Sequence, residues 1–340
     1  MEIGNSHSSV KQFASKSQIL HIFRKLQRVF FFLAGLVLFP QLLSAQWNAA
    51  IGAQSQDFGR QGLAFLPNEI WIHAGDSITW TMASDEAHTV TFLTAGQVIL
   101  PFTEGCPGFS SGSATFDGTT CATSPLLFQG QKFTVVFPVA GNFKLICLIH
   151  QNMTGTVHVL KSSQSLPHDQ AFYDRVAQEQ STALLADEDA SALKHQHSGN
   201  GVTVGHGEIV ATGGGSDSVS VMRFQDPVIT IHAGDTVEWT NEDPITPHTI
   251  TFGTEPRDPA PPSSNVTIDA DGAPHGVLNS PSDSVHSGFI QAAPQDRTGL
   301  AEAPSGVTCF RVTFSKPGIY PYICALHDVL GMKGKVIVLP

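Results

Sequence analysis

Two stretches of this chain alternate apolar and polar residues in the same order. Residues 69–81, EIWIHAGDSITWT, and 228–240, VITIHAGDTVEWT, place β-branched and aromatic residues at every second position around an Ala-Gly-Asp turn. Each therefore predicts a strand–turn–strand unit. Each is followed by a short strand-like block, HTVTF at 88–92 and HTITF at 248–252. Then come FTVVFPVAGNFKLIC at 133–147 and FRVTFSKPGIYPYIC at 310–324, and both series close on Met-x-Gly-x-Val-x-Val-Leu, at 153–160 and 332–339. Four matching blocks in one order identify a tandem duplication. Short strands divided by turn residues, with little helical period, make each copy a β-sandwich or small barrel, so the fold class is all-β.

The same pattern places domain one at 46–161 and domain two at 206–340. The linker between them, 162–205, reads as a polar helix with a modest apolar stripe of Phe172, Val176, Ala183 and Leu184, followed by a flexible tail. Domain two carries a long excursion over 253–306, rich in Pro, Ser, Asp and Gly, expected as a surface loop or a cover.

The first 45 residues differ from the rest. Lys11, Lys16, Arg24, Lys25 and Arg28 precede the apolar run VFFFLAGLVLF, then Pro40 and LLSAQ. This order is read as an export signal cut after Ala45, which sends the chain to the periplasm or outside the cell. The run is shorter than the roughly 20 residues of a membrane span. A membrane is expected as a partner only if the leader stays uncleaved as an anchor. Lysine plus arginine number 18 against 29 acids, a formal net charge of -11, with no basic run beyond the N-terminus. That excludes nucleic acid as the expected partner.

Export permits disulfides. Cys106 and Cys121 bracket the Gly/Ser/Thr-rich loop CPGFSSGSATFDGTTC and are expected to pair; Cys309, in GVTCFRVTF, is read as a buried strand thiol. Cys147 and Cys324 remain. They sit in LICLIHQNM (145–153) and YICALHDVLGM (322–332), each with a histidine three positions on and a methionine beyond it. In each copy another histidine opens the block after the first hairpin, His88 and His248. The candidate ligand sets are thus His88, Cys147, His150 and Met153, and His248, Cys324, His327 and Met332. One thiolate, two imidazoles and a weak thioether suit copper that alternates between Cu(I) and Cu(II). Zinc accepts thiolate and imidazole too, but methionine is a poor ligand for it.

With these motifs in place, the chain resembles the cupredoxin (blue copper) family, its Cys-x2-His-x2-Met similar to amicyanin spacing and its Cys-x2-His-x4-Met to plastocyanin spacing. The resemblance spans both copies apart from 253–306, and not the leader or linker. It implies two Greek-key β-sandwich domains, each with one type 1 copper, and a one-electron carrier that is not an enzyme. It also implies that His150 and His327 reach the surface through apolar patches, made by neighbours such as Leu148, Ile149, Ala325 and Leu326, where redox proteins dock transiently; core packing of those neighbours is the competing reading. One departure is Thr89 and Thr249, where those families have Asn; a threonine there can still tie the two ligand loops together.

Related oxidases and nitrite reductases carry His-x-His pairs or a histidine beside the copper cysteine. Here Cys147 is flanked by Ile146 and Leu148, and Cys324 by Ile323 and Ala325, so no relay to a further copper centre is encoded. A copper-binding protein for trafficking or storage without a redox role is the alternative reading, and a scaffold with vestigial sites a third. His73 and His232 are expected as exposed or turn-supporting residues. His195, His197 and His206 are read as part of a solvated linker, or as a copper-capturing cluster on it. His275 and His286 lie in the excursion without a partner pattern. The loops' different His-to-Met spacing predicts two centres of different potential. Donor, acceptor and oligomeric state are not encoded in any motif.

Overall fold

The alternating segments fold as strands in the computed structural model, which describes residues 44–98, 106, 112–150, 152–186, 199–291 and 308–340. The leader lies outside these residues except for its last two, and His195 and His197 lie outside them as well. Repeat one comprises β1 (Gln46–Gln54), β2 (Arg60–Leu66), β3 (Glu69–His73), β4 (Ser77–Met82), β5 (Thr91–Phe92), β6 (Ser113–Thr115), β7 (Ala122–Thr123), β8 (Lys132–Val136), β9 (Gly141–Ile146) and β10 (Thr154–Leu160). The helix α1 (Gln170–Ala186) follows. Repeat two comprises β11 (Gly201–Ala211), β12 (Ser216–Phe224), β13 (Val228–His232), β14 (Thr236–Asn241), β15 (Thr251–Phe252), β16 (Thr267–Ile268), β17 (Pro274–Leu278), β18 (Val285–His286), β19 (Cys309–Phe314), β20 (Gly318–Ile323) and β21 (Lys333–Leu339). Because β11 starts at Gly201, the expected boundary at 206 falls inside a strand; His206 belongs to this strand and not to the linker.

Each repeat is a two-sheet sandwich wired the same way. In repeat one β6-β8-β4-β1-β2 face β3-β10-β9-β5-β7; in repeat two the equivalents are β17-β19-β14-β11-β12 and β13-β21-β20-β15-β18. The period-two pattern turns alternate residues inward. Trp80, Phe92, Phe133 and Phe137 fill one core, and Trp239, Phe252, Phe310 and Phe314 the other. In the Ala-Gly-Asp turns the aspartate, not the histidine, gives the side-chain support: Asp76 accepts the His73 N–H at 3.0 Å and Asp235 the His232 N–H at 2.9 Å.

The excursion is partly sheet. Its β17 pairs parallel with β19 as β6 pairs with β8, and its β18 pairs with β15 as β7 pairs with β5. A strand that opens with proline and another of two residues leave almost no alternation to read. His275 and His286 also find partners there: Asp269 and Thr313 for the first, Thr251 and the Pro259 carbonyl for the second. Cys106 and Cys121 form the expected disulfide, and Cys309 is a free, half-buried thiol in β19.

The two repeats join edge to edge. β2 and β12 pair antiparallel, with Leu63 opposite Ser218 and Gln61 opposite Ser220. One sheet therefore runs through both repeats, and apart from the extra edge strand β16 its order reads alike from either end, as a two-fold relation through the central pair requires. Ala53, Ala64, Leu66, Val219 and Leu184 close a small apolar cluster over this seam. Arg223 on β12 clips it: its guanidinium donates to the Leu330 carbonyl at 2.7 Å and the Asp57 carbonyl at 2.5 Å.

α1 packs on β1 and β2. Its buried residues are Tyr173 and Leu184, whereas Ala183 of the expected stripe is exposed and Phe172 and Val176 are half-buried. Tyr173 was the missing member, because its ring packs edge-on against Trp47 while its hydroxyl accepts the Trp71 N–H and donates to the Trp71 carbonyl. An amphipathic side chain can anchor a helix when its polar end is bonded.

Near the seam, Asp217 is buried with no partner for its Oδ1 among the described residues. Burial raises its carboxyl to about 7. A raised carboxyl favours folding below the unfolded value and loses that contribution as pH rises through the folded one. Asp217→Asn should therefore stabilise the protein at pH 8, by at most roughly 4 kcal/mol, and change little at pH 4. Urea unfolding at both values checks this; equal effects at the two would contradict it.

Candidate metal centres

In each repeat a short strand and a loop deliver the ligands. His88 is clamped by paired backbone bonds with Leu127, and His248 by the same pair with Ile290. Cys147 and Cys324 follow the last residues of β9 and β20, which lie beside β5 and β15. His88, Cys147 and His150 come together, as do His248, Cys324 and His327, with all donor atoms of each set within 4.8 Å of one another. In repeat one the Cys147 Sγ lies 3.9 Å from His88 Nδ1 and 3.7 Å from His150 Nδ1, and the two Nδ1 atoms are 3.0 Å apart. In repeat two the same distances are 3.8, 3.4 and 3.1 Å.

Met153 and Met332 are fully buried. Each is held by its backbone to the ligand loop: the Cys147 N–H bonds the Met153 carbonyl, and the Cys324 N–H the Met332 carbonyl, at 3.0 and 3.1 Å. The two extra residues of the second loop are taken up by a 3-10 turn, Asp328–Leu330, closed by Gly331 in the left-handed region. Both methionines thus return to the same backbone bond with the cysteine.

Thr89 and Thr249 tie the loops. The Leu148 N–H donates to the Thr89 hydroxyl at 2.8 Å, and the Ala325 N–H to that of Thr249 at 2.7 Å. The Thr89 and Thr249 N–H groups point at Cys147 and Cys324 Sγ at 3.4 and 3.3 Å. Donors aimed at sulfur favour the thiolate.

The electrostatics agree. Burial would push the Cys147 and Cys324 thiols up, but the neighbouring imidazoles outweigh it and hold both well below their usual value. Burial opposes charge on His150 too, yet Cys147 and Glu86 raise it to about 10; for His248 Asp243 and Cys324 raise it to about 9. His88 is lowered, chiefly by burial. Two thiolates poised between imidazole nitrogens in a dry core are a donor set for a metal between hard and soft. The residues fit copper.

Under each set a glycine in a bulge of the joining hairpin makes room. Gly52 of β1 and Gly205 of β11 have φ of 71° and 63° where the strand register slips. A Cβ on Gly205 would sit 2.2 Å from His248 Nε2; one on Gly52 would meet Ser84 Oγ at 2.0 Å and His88 Nε2 at 3.1 Å. Neither glycine, nor Glu86 and Asp243, which face ligand histidines, belongs to the ligand set read from the motifs. An acid does precede each ligand histidine, but at different spacing, so the duplication does not reveal it.

His150 and His327 were expected at the surface; they are 0% and 3% exposed. Both line one cavity of about 810 Å³ between the repeats, walled by Phe58, Phe128, Ile149, Phe289, Leu326 and Val329. Apolar side chains do reach solvent nearby, for Phe58, Phe128 and Val329 are exposed.

Comparison with known proteins gives matching results. The family of copper binding proteins described as plastocyanin/azurin matches residues 53–160 and 209–339, one match per repeat. Plastocyanin of a Synechococcus strain is 28% identical over 124 residues, covering 36% of this chain and 68% of that protein. Amicyanin-alpha of Methylorubrum extorquens is 30% identical over 126 residues, covering 36% of this chain and 72% of that protein. A chloroplastic plastocyanin of Tetradesmus obliquus is 32% identical over 124 residues, covering 36% and 63%.

Gly205→Ala should displace the His248 ring and weaken metal uptake in repeat two by at least about tenfold, with the repeat-one ligand residues still in place. Metal titration of the variant, followed by absorption, checks this; undiminished binding of two ions would contradict the packing argument.

Proposed function

The chain belongs to the plastocyanin/azurin family of copper binding proteins, and on that premise we propose that it is an exported one-electron carrier with a type 1 copper in each repeat. The observation that carries this reading is the pair of buried Cys-His-His clusters, each with its cysteine held toward thiolate. His88, Cys147 and His150 would hold one ion, with Met153 as the weak fourth ligand; His248, Cys324, His327 and Met332 would hold the other. Bound copper would supply a couple between Cu(I) and Cu(II).

The residues around it do the rest. Backbone clamps on His88 and His248 and the threonine ties fix the ligands on sandwich edges, so that little rearrangement accompanies a change of charge. Burial excludes water from the sulfur. Export rests on the leader motif; among the described residues no helix is long and apolar enough to cross a membrane. The aliphatic neighbours of both cysteines supply no relay to another metal, which favours a carrier over an oxidase. Redox proteins are the proposed partners, meeting the chain by transient docking at the apolar cavity rim beside His150 and His327.

Visible absorption and copper stoichiometry test the reading. The exported chain should bind about two coppers and show an intense thiolate-to-copper band. Cys147→Ser and Cys324→Ser should each remove about half of both. A colourless chain that still binds copper would instead support trafficking.

A further inference from the structure

The strand order is symmetric, but the point where the two ligand loops meet is not. Glu86 stands two positions before His88, and the residue two before His248 is Thr246. Thr246 is buried and bonded to Ser220 at 2.8 Å. One carboxylate therefore serves a place where an exact duplication would supply two.

That carboxylate lies between the two sites. Glu86 Oε1 is 3.4 Å from His150 Nε2, and Oε2 is 3.5 Å from His327 Nε2. His150 Nε2 is buried and makes no hydrogen bond among the described residues. Both rings point their Nδ1 atoms at their own cysteine. A ring that ligates through Nδ1 carries its proton on Nε2, and that N–H seeks an acceptor. Here both rings have the same acceptor. The two separations are nearly equal and each is just longer than a good hydrogen bond. A shift of a few tenths of an ångström toward one ring completes one bond and lengthens the other.

We infer that Glu86 couples the two sites, because a single carboxylate shared by His150 and His327 makes the filling or charge of one site felt at the other. The inference rests on the reading that both clusters bind metal. Positive charge gathered on one imidazole draws the carboxylate and leaves the other imidazole less well matched. The effect is reciprocal, as any coupling between two binding sites is. The other second partner in view, Asp243, faces His248 within repeat two at 3.5 Å. The chain is then one two-site unit and not two carriers on a string.

A thermodynamic cycle tests this. Protein labelled with 15N is loaded with Cu(I), and the His150 Nε2–H resonance reports site one during competition with a chelator. Emptying site two by Cys324→Ser should change the Cu(I) affinity of site one by about fivefold or more. In Glu86→Gln, which keeps the shape but offers one ring an amide donor, the same Cys324→Ser change should have no effect on site one. The reciprocal pair, Cys147→Ser read at His327, should show the same coupling with no change at position 86. Unaltered site-one affinity in the otherwise native chain, or a coupling that survives Glu86→Gln at full size, would overturn the inference while copper binding itself stands. A chain that takes up no metal before any substitution would overturn both readings.

Discussion

The antiparallel pairing of β2 with β12 is the constraint on which the rest of the molecule depends. Each strand is the outer member of a hairpin added to its own sandwich, and by bonding to each other they turn two sandwiches into one continuous sheet. The ladder fixes register to the residue, since a one-residue slip would turn every side chain to the opposite face. Register in turn sets where Arg223 of β12 reaches the Asp57 carbonyl of repeat one. The meeting of the two ligand loops over one cavity follows from this pairing.

Within each repeat the chemistry is a balance between burial and charge. A cysteine in a dry core is normally a neutral thiol. Here two imidazoles and a threonine N–H surround each sulfur, and their combined effect exceeds the desolvation that burial imposes. The ligand set is held in place by backbone bonds at His88, His248 and the two cysteines. The 3-10 turn at Asp328–Leu330 shows the same economy: a longer loop is folded into a turn, and the methionine beyond it still returns to the cysteine.

What was legible in the sequence is what repeats or alternates. The strand pairs around the Ala-Gly-Asp turns, the two cysteine–histidine loops, the histidines His88 and His248, the threonine ties and the disulfide all carried a local signal. The strands inside the excursion did not, since β17 opens on Pro274 and β18 has only two residues. Tyr173 escaped a stripe drawn from aliphatic residues because its burial depends on a hydroxyl bonded to Trp71. The burial of His150 and His327 was not legible at all. Both rings line a cavity walled by residues of both repeats, and an arrangement between repeats leaves no local pattern to read. Glu86 was hidden for a related reason: a residue acting across the seam has no need of a copy.

The seam also bears on how such a chain can be divided. β2 and β12 each have one flank bonded within their own hairpin and the other bonded across the seam. A repeat cut free would leave that second flank as a row of bare N–H and C=O groups, a template for any passing strand. The same cut would open the cavity that both imidazoles line. Neither half is therefore complete on its own. The fused chain holds its two repeats as permanently as a dimer that cannot dissociate, and a single glutamate can then face a histidine of each.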